Sequence, residues 1–264
     1  METTSWTERI SSCKRLLVGL GEEWKMRRIS ETASIEEIQK AKLYNDKLLK
    51  AYEALYRLVQ DKDYFIVTMA TDAEIYETLL GSSQEYAAEE EQQDKEPVPC
   101  SADEKTMALM DRLFPPKEKK RDTRRERIVA PCGNETWRQC SRSCTKDIWE
   151  PGEIPEDICP HCGAPLTGNT VEAEKYIEEG YLPQWRKYTQ WLSRTLNREL
   201  LILELGAGFA NPSVLRFPFE RTVIFNRKAY LYRVNERFPQ IAKELAGHAE
   251  GIGENSPDWV IENF

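Results

Sequence analysis

The chain has 264 residues, of which 40% are hydrophobic and 31% are charged, a balance typical of soluble globular proteins. Its formal net charge of −8 argues against non-specific nucleic-acid binding, which depends on Lys and Arg neutralising phosphates. No apolar run approaches the roughly 20 residues that span a bilayer, and METTSWTERI lacks the apolar core of a signal peptide. We therefore expect a cytoplasmic protein with no membrane partner.

Short apolar runs that end in turn residues predict the buried strands of a parallel sheet. Five runs fit this description, at residues 15–18, 64–68, 128–130, 200–205 and 222–226. The first leads into Gly19-Leu20-Gly21 and the fourth into Gly206-Ala207-Gly208. A Gly-rich turn after a buried strand is typical of a loop that leads into a helix.

Helical patterns separate these runs. Ser34, with Glu37 three residues later, has the spacing of a capping box and predicts the start of a long helix. The chain from Glu172 onward is expected to be helical, with a break near 180–183 before a second helix that carries Trp185. Strands that alternate with helices predict a doubly wound α/β sheet.

The composition changes between residues 81 and 127. Residues 85–96 carry six acids against one Lys, and 117–127 carry seven bases against three acids. A short helix is expected at 105–114, where two prolines stop it. We interpret 81–127 as a charged, partly mobile insertion with a solvated surface, and a docking site for a protein partner is the alternative.

Four cysteines form two close pairs, and this spacing predicts a structural zinc site. Three residues separate Cys140 from Cys144, two separate Cys159 from Cys162, and fourteen lie between the pairs. Four thiolates leave no open position for water, so the metal is expected to hold the fold rather than to catalyse. His161, between two of the ligands, is expected to be an exposed residue of the turn.

The order of these motifs resembles the sirtuin family everywhere except in the insertion. A Gly-x-Gly loop follows the first strand, Thr68 and Asp72 follow the second, and Cys132-Gly133 precedes the cysteine pairs. The stretches WRQCSRSC and LELGAGFANPSVLRFPFE look closest to a bacterial branch that includes the macrodomain-linked sirtuins. The resemblance implies a Rossmann-like domain, a smaller zinc-ribbon and helical module, and NAD in the cleft between them.

This resemblance also implies an organisation of the chain and a set of NAD contacts. The Rossmann-like domain would comprise 1–27, 60–80, 128–133 and 198–264, with a helical module at 28–59, the insertion at 81–127, the zinc ribbon at 134–170 and helices at 171–197. The residues that match the family's NAD-binding positions are Gly19, Gly21, Thr68, Asp72, Gly206, Gly208 and Asn226. As alternatives, the later two glycines could be ordinary tight-turn residues and Asn226 a cap at a strand end.

Several positions depart from the family pattern. Glu22 and Glu23 place two negative charges where the family binds a pyrophosphate. One such charge at about 4 Å in a partly buried cleft costs roughly 4 kcal/mol, about a thousandfold in affinity. The alternative role of these acids is to stabilise a helix N-terminus. Ala70 replaces the Asn that would help to hold the nicotinamide ribose.

The family's catalytic base is also missing. Cys132 stands where ordinary sirtuins carry His and where the macrodomain-linked branch tends to carry Gln. A cysteine replaces a base poorly unless its pKa is lowered. The Phe-Gly-Glu loop that seats an acyl-lysine peptide has no counterpart in APLTGNTVEAEKYIEEG, so lysine deacylation is rejected.

These residues leave three hypotheses about function. The main hypothesis is a degenerate sirtuin that binds NAD, ADP-ribose or a protein partner. The alternative is an active enzyme of ADP-ribosyl transfer or NAD cleavage, in which Asp72, Glu22 or Glu23 stabilises an oxocarbenium-like ribose. The third, a nucleic-acid-binding module built on the zinc ribbon and 117–127, is the weakest because the chain is acidic overall.

Overall fold

The computed structural model describes residues 6–72, 74–76, 78 and 125–264. Its strands are β1 (Arg15–Leu20), β2 (Asp63–Thr68), β3 (Ile128–Val129), β4 (Gly133–Cys140), β5 (Ile148–Trp149), β6 (Leu166–Thr170), β7 (Leu200–Leu205), β8 (Ala229–Val234) and β9 (Ala249–Ile252). Its helices are α1 (Trp6–Ser12), α2 (Ile35–Val59), α3 (Leu182–Arg194), α4 (Arg216–Phe225) and α5 (Ser256–Asn263).

Six parallel strands form the main sheet in the order β3-β2-β1-β7-β8-β9. The chain begins at a central strand, builds outward to one edge, and then returns to build the other half from β7. This is the strand order of a doubly wound Rossmann fold, in which ligands bind at the carboxyl ends of the strands where the order reverses. The predicted α/β class is confirmed, and the switch point lies between β1 and β7.

Helices cover both faces of this sheet. Successive residues of a strand point to opposite faces, so Leu16 and Val18 join one core and Leu17 joins the other. The first core packs against α2, and the second packs against α3 and α4. The predicted capping box of α2 is confirmed, because Ser34 and Glu37 exchange side-chain to backbone hydrogen bonds.

A second, antiparallel sheet in the order β5-β4-β6 forms the small module that carries the cysteine pairs. The module follows β3 directly and ends before α3, which returns the chain to the main sheet. Four strands of the main sheet lie where the sequence predicts them, at residues 15–18, 64–68, 128–130 and 200–205.

Two predicted elements are wrong. Residues 222–226 are not a strand, because they form the end of α4 and its cap, and the next strand is β8. The helix predicted from Glu172 does not form, and only a 3₁₀ turn, Glu178–Gly180, precedes α3. The buried side chains of Gln139 and Asn169 bond to the backbone of Lys175 and Ile177 and hold this segment in an irregular path.

Most of the predicted insertion, residues 81–124, lies outside the described residues, and so does the helix predicted at 105–114. Its last residues are described and form a 3₁₀ turn, Arg125–Arg127, that leads into β3. Within the described part of the chain, no helix has the length and apolar character needed to cross a bilayer.

Candidate functional site

The two cysteine pairs come together at one end of the small module. The four Sγ atoms of Cys140, Cys144, Cys159 and Cys162 all lie within 4.8 Å of one another. The Cys140–Cys162 and Cys144–Cys159 sulfur distances are 3.5 and 3.6 Å. Tetrahedral zinc with Zn–S bonds of about 2.3 Å requires sulfurs about 3.8 Å apart, so the cluster fits Zn²⁺.

The neighbours of the cysteine cluster are not part of it. His161 is exposed, and its Nε2 lies 2.9 Å from Asp147 Oδ2. Cys132 is buried in the second core of the main sheet, away from the four sulfurs. The sequence prediction of four ligands from two pairs therefore agrees with the geometry, while the metal itself stays a prediction.

At the carboxyl edge of the main sheet, the two Gly-rich loops lie in backbone contact. The Gly21 amide donates to the Leu205 carbonyl at 2.8 Å, and the Glu23 amide donates to the Gly206 carbonyl at 3.4 Å. A Cβ atom at Gly21 would lie 2.3 Å from the Ala207 Cα atom. The residue at position 21 must therefore be a glycine because the loops touch, whether or not a ligand binds.

Gly19 has a different environment from the one that the resemblance implies. It lies within β1 rather than in the loop, and a Cβ atom there would lie 2.4 Å from the Phe219 ring. Phe219 is fully buried in α4. Packing of a helix on the sheet accounts for this glycine.

The protein's own carboxylates accept the exposed amides of these loops. The Gly208 amide donates to Glu22 Oε2 at 2.5 Å. Glu23 accepts the Ser256 amide at 2.8 Å and the Glu236 amide at 3.3 Å. A backbone amide that faces the cleft is the group with which such loops bind phosphate. Here Glu22 holds the Gly208 amide, and Glu23 stabilises the start of α5 rather than its own helix.

Two buried side chains that the sequence analysis missed support the second loop. Arg216 donates to the carbonyls of Ala207 and Phe238, at 2.8 and 3.1 Å. Asn235 donates to the same Ala207 carbonyl at 3.1 Å and accepts the Arg237 and Phe238 amides. An Asn directly after the apolar run of β8 was the available signal.

Asn226 is not at this edge of the sheet, so its predicted place at the end of an NAD-facing strand is wrong. It caps α4 just before β8 begins, and the amino ends of parallel strands lie opposite their carboxyl ends. Its buried amide donates to the carbonyls of Thr195 and Arg198, both at 3.0 Å. The alternative capping role agrees with the structure, at a helix end rather than a strand end.

The predicted residues after β2 do lie at the carboxyl edge. Thr68 is buried, and its Oγ1 accepts the Ala70 amide at 3.0 Å. Asp72 accepts the Met26 amide through Oδ2 at 3.0 Å. Within the described residues, Asp72 Oδ1 is buried and has no hydrogen-bond partner. Burial raises the pKa of Asp72, because the charged carboxylate is poorly solvated there.

Cys132 is buried at the start of the small module, with an exposed fraction of 5%. Burial raises the pKa of its thiol, and the nearby Lys25 opposes this effect only in part. A thiol with a raised pKa stays protonated at neutral pH and does not act as a general base. Gly133 beside it has φ +86°, and a Cβ there would lie 2.1 Å from the Asn169 carbonyl oxygen.

Ion pairs join the segment after the first Gly-rich loop to the small module. Lys25 lies 3.6 Å from Glu172, and Arg28 pairs with both Glu135 and Glu172. Glu135 also accepts a hydrogen bond from Thr71 Oγ1 at 2.8 Å. These contacts attach the segment after the first Gly-rich loop to the start and the end of the small module.

Comparisons with known proteins agree with this architecture. No protein-family model matches the chain. A protein ADP-ribosyltransferase of Staphylococcus aureus is 28% identical over 89 residues, which are 33% of this chain and 28% of that protein. A probable bifunctional ADP-ribose hydrolase/ADP-ribosyltransferase of Fusarium oxysporum f. sp. cubense is 26% identical over 124 residues, covering 38% of this chain and 20% of that protein.

The similarity in sequence therefore spans less than a third of the length of either relative. The structure is similar over 100% of this chain to a Sir2 homologue solved as a complex of a point mutant with ADP-ribose. That match has a TM-score of 0.50, 13% identity and 95% coverage of the other chain. The predicted resemblance is confirmed: the chain has the sirtuin (Sir2) fold, and its relatives in sequence include proteins named as ADP-ribosyltransferases.

Proposed function

We propose that this chain is a degenerate protein of the sirtuin fold, impaired in NAD turnover. Such a protein could bind NAD or ADP-ribose or a protein partner, and the Gly-rich loops favour the protein partner. The observation that carries the proposal is the hydrogen bond from the Gly208 amide to the Glu22 carboxylate. The Glu22 carboxylate thus accepts a hydrogen bond from the backbone amide to which a phosphate oxygen of NAD or ADP-ribose would otherwise bind.

Electrostatic repulsion opposes the binding of a phosphate in place of the Glu22 carboxylate. A ligand oxygen that takes the Gly208 amide must displace Glu22 and then remain close to a negative charge. Glu22 is exposed, so solvent screens this repulsion, which at about 4 Å lies between about 1 kcal/mol in bulk water and about 4 kcal/mol at an effective dielectric constant of about 20. Such a penalty lowers affinity by between about fivefold and about a thousandfold. Glu23 adds a second negative charge in the same loop, although it is already bonded to two amides.

The chemistry of the cleft supports the same proposal. Sirtuin deacylation needs a base that deprotonates a ribose hydroxyl, and the buried thiol of Cys132 at that position is neutral. Zn²⁺ held by the four cysteines would stabilise the small module, and a closed set of four thiolates gives it no catalytic role.

One observation favours the alternative, an active ADP-ribosyltransferase or NAD-cleaving enzyme. Asp72 Oδ1 is a buried carboxylate oxygen without a hydrogen-bond partner in the described structure. A carboxylate in that state can stabilise positive charge that develops on a ribose during cleavage of a glycosidic bond. The two relatives named as ADP-ribosyltransferases agree with this alternative.

Titration calorimetry of the zinc-loaded chain with NAD, and separately with ADP-ribose, tests the proposal. We expect no heat from the wild type at millimolar ligand and a gain of binding in Glu22→Ala. The matched control is Glu53→Ala, which removes an exposed carboxylate from α2. Micromolar binding by the wild type would contradict the proposed block. NAD cleavage or ADP-ribosyl transfer that is lost in Asp72→Asn would establish the alternative.

A further inference from the structure

A cavity of about 380 Å³ lies at the amino edge of the main sheet, opposite the Gly-rich loops. Arg15 and Asp63, the first residues of β1 and β2, form part of its wall. Glu126 and Arg127 before β3, the helix α3 and the segment after it form most of the rest, and buried Trp191 is part of this wall. The volume is within the range of small-molecule binding sites, about 300 to 1,000 Å³.

The wall of this cavity is strongly basic. Its cationic side chains are Arg15, Arg127, Lys187, Arg194 and Arg198. Its acids are Asp63 and Glu126, which leaves a formal excess of three positive charges. The whole chain has a net charge of −8, so this cavity has the opposite sign of charge from the protein as a whole. A field of this kind attracts anions to the cavity.

The two acids already have partners. Asp63 pairs with Arg127 at 3.0 Å and with Arg15 at 3.9 Å, and it accepts a hydrogen bond from Trp191 Nε1 at 2.8 Å. Glu126 pairs with Lys187 at 3.1 Å. The two acids thus pair with three of the five cations, and the other two have no acidic partner among the cavity residues.

The remaining cations are Arg194 and Arg198. No carboxylate of the described residues lies within 4 Å of either guanidinium. Both side chains are exposed. Arg194 lies in the last turn of α3, where a cation also complements the helix dipole, but Arg198 lies beyond the helix and lacks that role.

The backbone holds these two arginines in place. Lys187, Trp191 and Arg194 recur at steps of four and three along α3 and therefore share the face that lines the cavity. The buried amide of Asn226 donates to the carbonyls of Thr195 and Arg198, and it ties the segment after the helix to the end of α4. The guanidinium groups are thus carried by a fixed backbone.

We propose that this cavity binds a small phosphate-bearing molecule, with Arg194 and Arg198 as its main ligands. The planar fork of a guanidinium matches two oxygens of a phosphate. A phosphate monoester carries about 1.5 to 2 negative charges at neutral pH, and a diphosphate carries more, which suits an excess of three positive charges. The proposal is independent of the state of the Gly-rich loops.

Inorganic pyrophosphate is the probe, in calorimetric titrations of the zinc-loaded full chain at low salt. We expect binding that weakens at least tenfold in Arg194→Ala/Arg198→Ala and that weakens in the wild type as salt rises. The control pair is Lys50→Ala/Arg57→Ala, two exposed cations of α2 on the other face of the sheet, and it should bind as the wild type does.

A second variant, Arg194→Lys/Arg198→Lys, keeps both charges and separates lost recognition from misfolding. It should show intermediate affinity, since an ammonium group cannot present the guanidinium fork. Three results would overturn the proposal: no heat with pyrophosphate at millimolar concentration, equal loss in the control pair, or unchanged affinity in both arginine variants. Citrate that binds as tightly as pyrophosphate would overturn the assignment to phosphate.

Discussion

Gly19→Ala separates a packing role for this glycine from a cofactor role. An added Cβ would lie 2.4 Å from Phe219 Cε2, 2.8 Å from Cζ and 3.0 Å from Leu215 Cδ2. All three atoms belong to side chains that are buried between α4 and the sheet. The ring must therefore move, and little space is available around it in a close-packed core.

Overpacking of this kind costs typically about 1–3 kcal/mol, so we expect Gly19→Ala to lower the free energy of unfolding by that amount. Phe219→Leu removes the part of the ring that the new methyl group would strike, and alone it also destabilises the fold by leaving a cavity. In the double variant the methyl group fills part of that cavity. The double variant should therefore lose less free energy of unfolding than the two single variants lose together, with a coupling free energy of about 0.5–3 kcal/mol.

Urea unfolding of the four zinc-loaded proteins, followed by tryptophan fluorescence and by circular dichroism, measures these free energies. Equal m-values across the four proteins would show that the same surface is exposed on unfolding in each. A loss below about 0.5 kcal/mol in Gly19→Ala, or additive losses in the double variant, would refute the packing argument.

Three further predictions concern the cysteine cluster, the buried ion pair and Asp72. A chelator should lower the Tm of the wild type but hardly that of Cys159→Ser, which lacks one zinc ligand; equal shifts would contradict a four-cysteine site. Glu204→Gln should lower the free energy of unfolding by about 1.5–3 kcal/mol, because buried Arg233 loses the carboxylate to which it donates at 2.6 and 3.0 Å but keeps its ion pair with Glu220 at 2.9 Å; a urea titration that finds less than about 0.5 kcal/mol would contradict this. Burial raises the pKa of Asp72, so its contribution to stability is complete below the unfolded pKa and is lost as pH rises through the folded pKa. The Tm advantage of Asp72→Asn should therefore grow from about pH 4 to pH 7 in thermal melts, and a constant difference would refute the reasoning.

Local patterns identified most of the fold. The strands at 15–18, 64–68 and 200–205 are mostly apolar runs, because a parallel strand is buried on both faces, and Glu204 is the acidic residue among them. The cysteine spacing predicted the four-sulfur cluster, because the two cysteines of each pair lie within one tight turn and their proximity hardly depends on the rest of the fold.

The wrong elements depend on contacts with distant residues. A short apolar run such as 222–226 suits a buried helix as well as a strand, and the packing of Phe219 and Val223 on the sheet decides for the helix. The segment after Glu172 contains good helix formers, yet buried Gln139 and Asn169 bind its backbone instead. Tertiary hydrogen bonds there outweigh local propensity.

The candidate site was predictable only in outline. The sequence placed Glu22 in the first loop but held no sign that its carboxylate reaches the Gly208 amide, 186 residues further along the chain. The basic cavity draws its cations from three separated segments, at Arg15, at Arg127 and at 187–198, so no single charge run marks it.

The place of β1 in the sheet has a consequence for how the protein is made. β1 pairs on one side with β2 and on the other with β7, which begins at Leu200. During synthesis, one backbone edge of β1 therefore stays without its hydrogen-bonding partner until some 180 residues more have left the ribosome. Pairing over such a separation slows folding and leaves an open strand edge in the nascent chain. We therefore expect chaperone dependence to be concentrated in the interval before β7 emerges, and nascent chains that end short of Leu205 to aggregate more readily than longer ones.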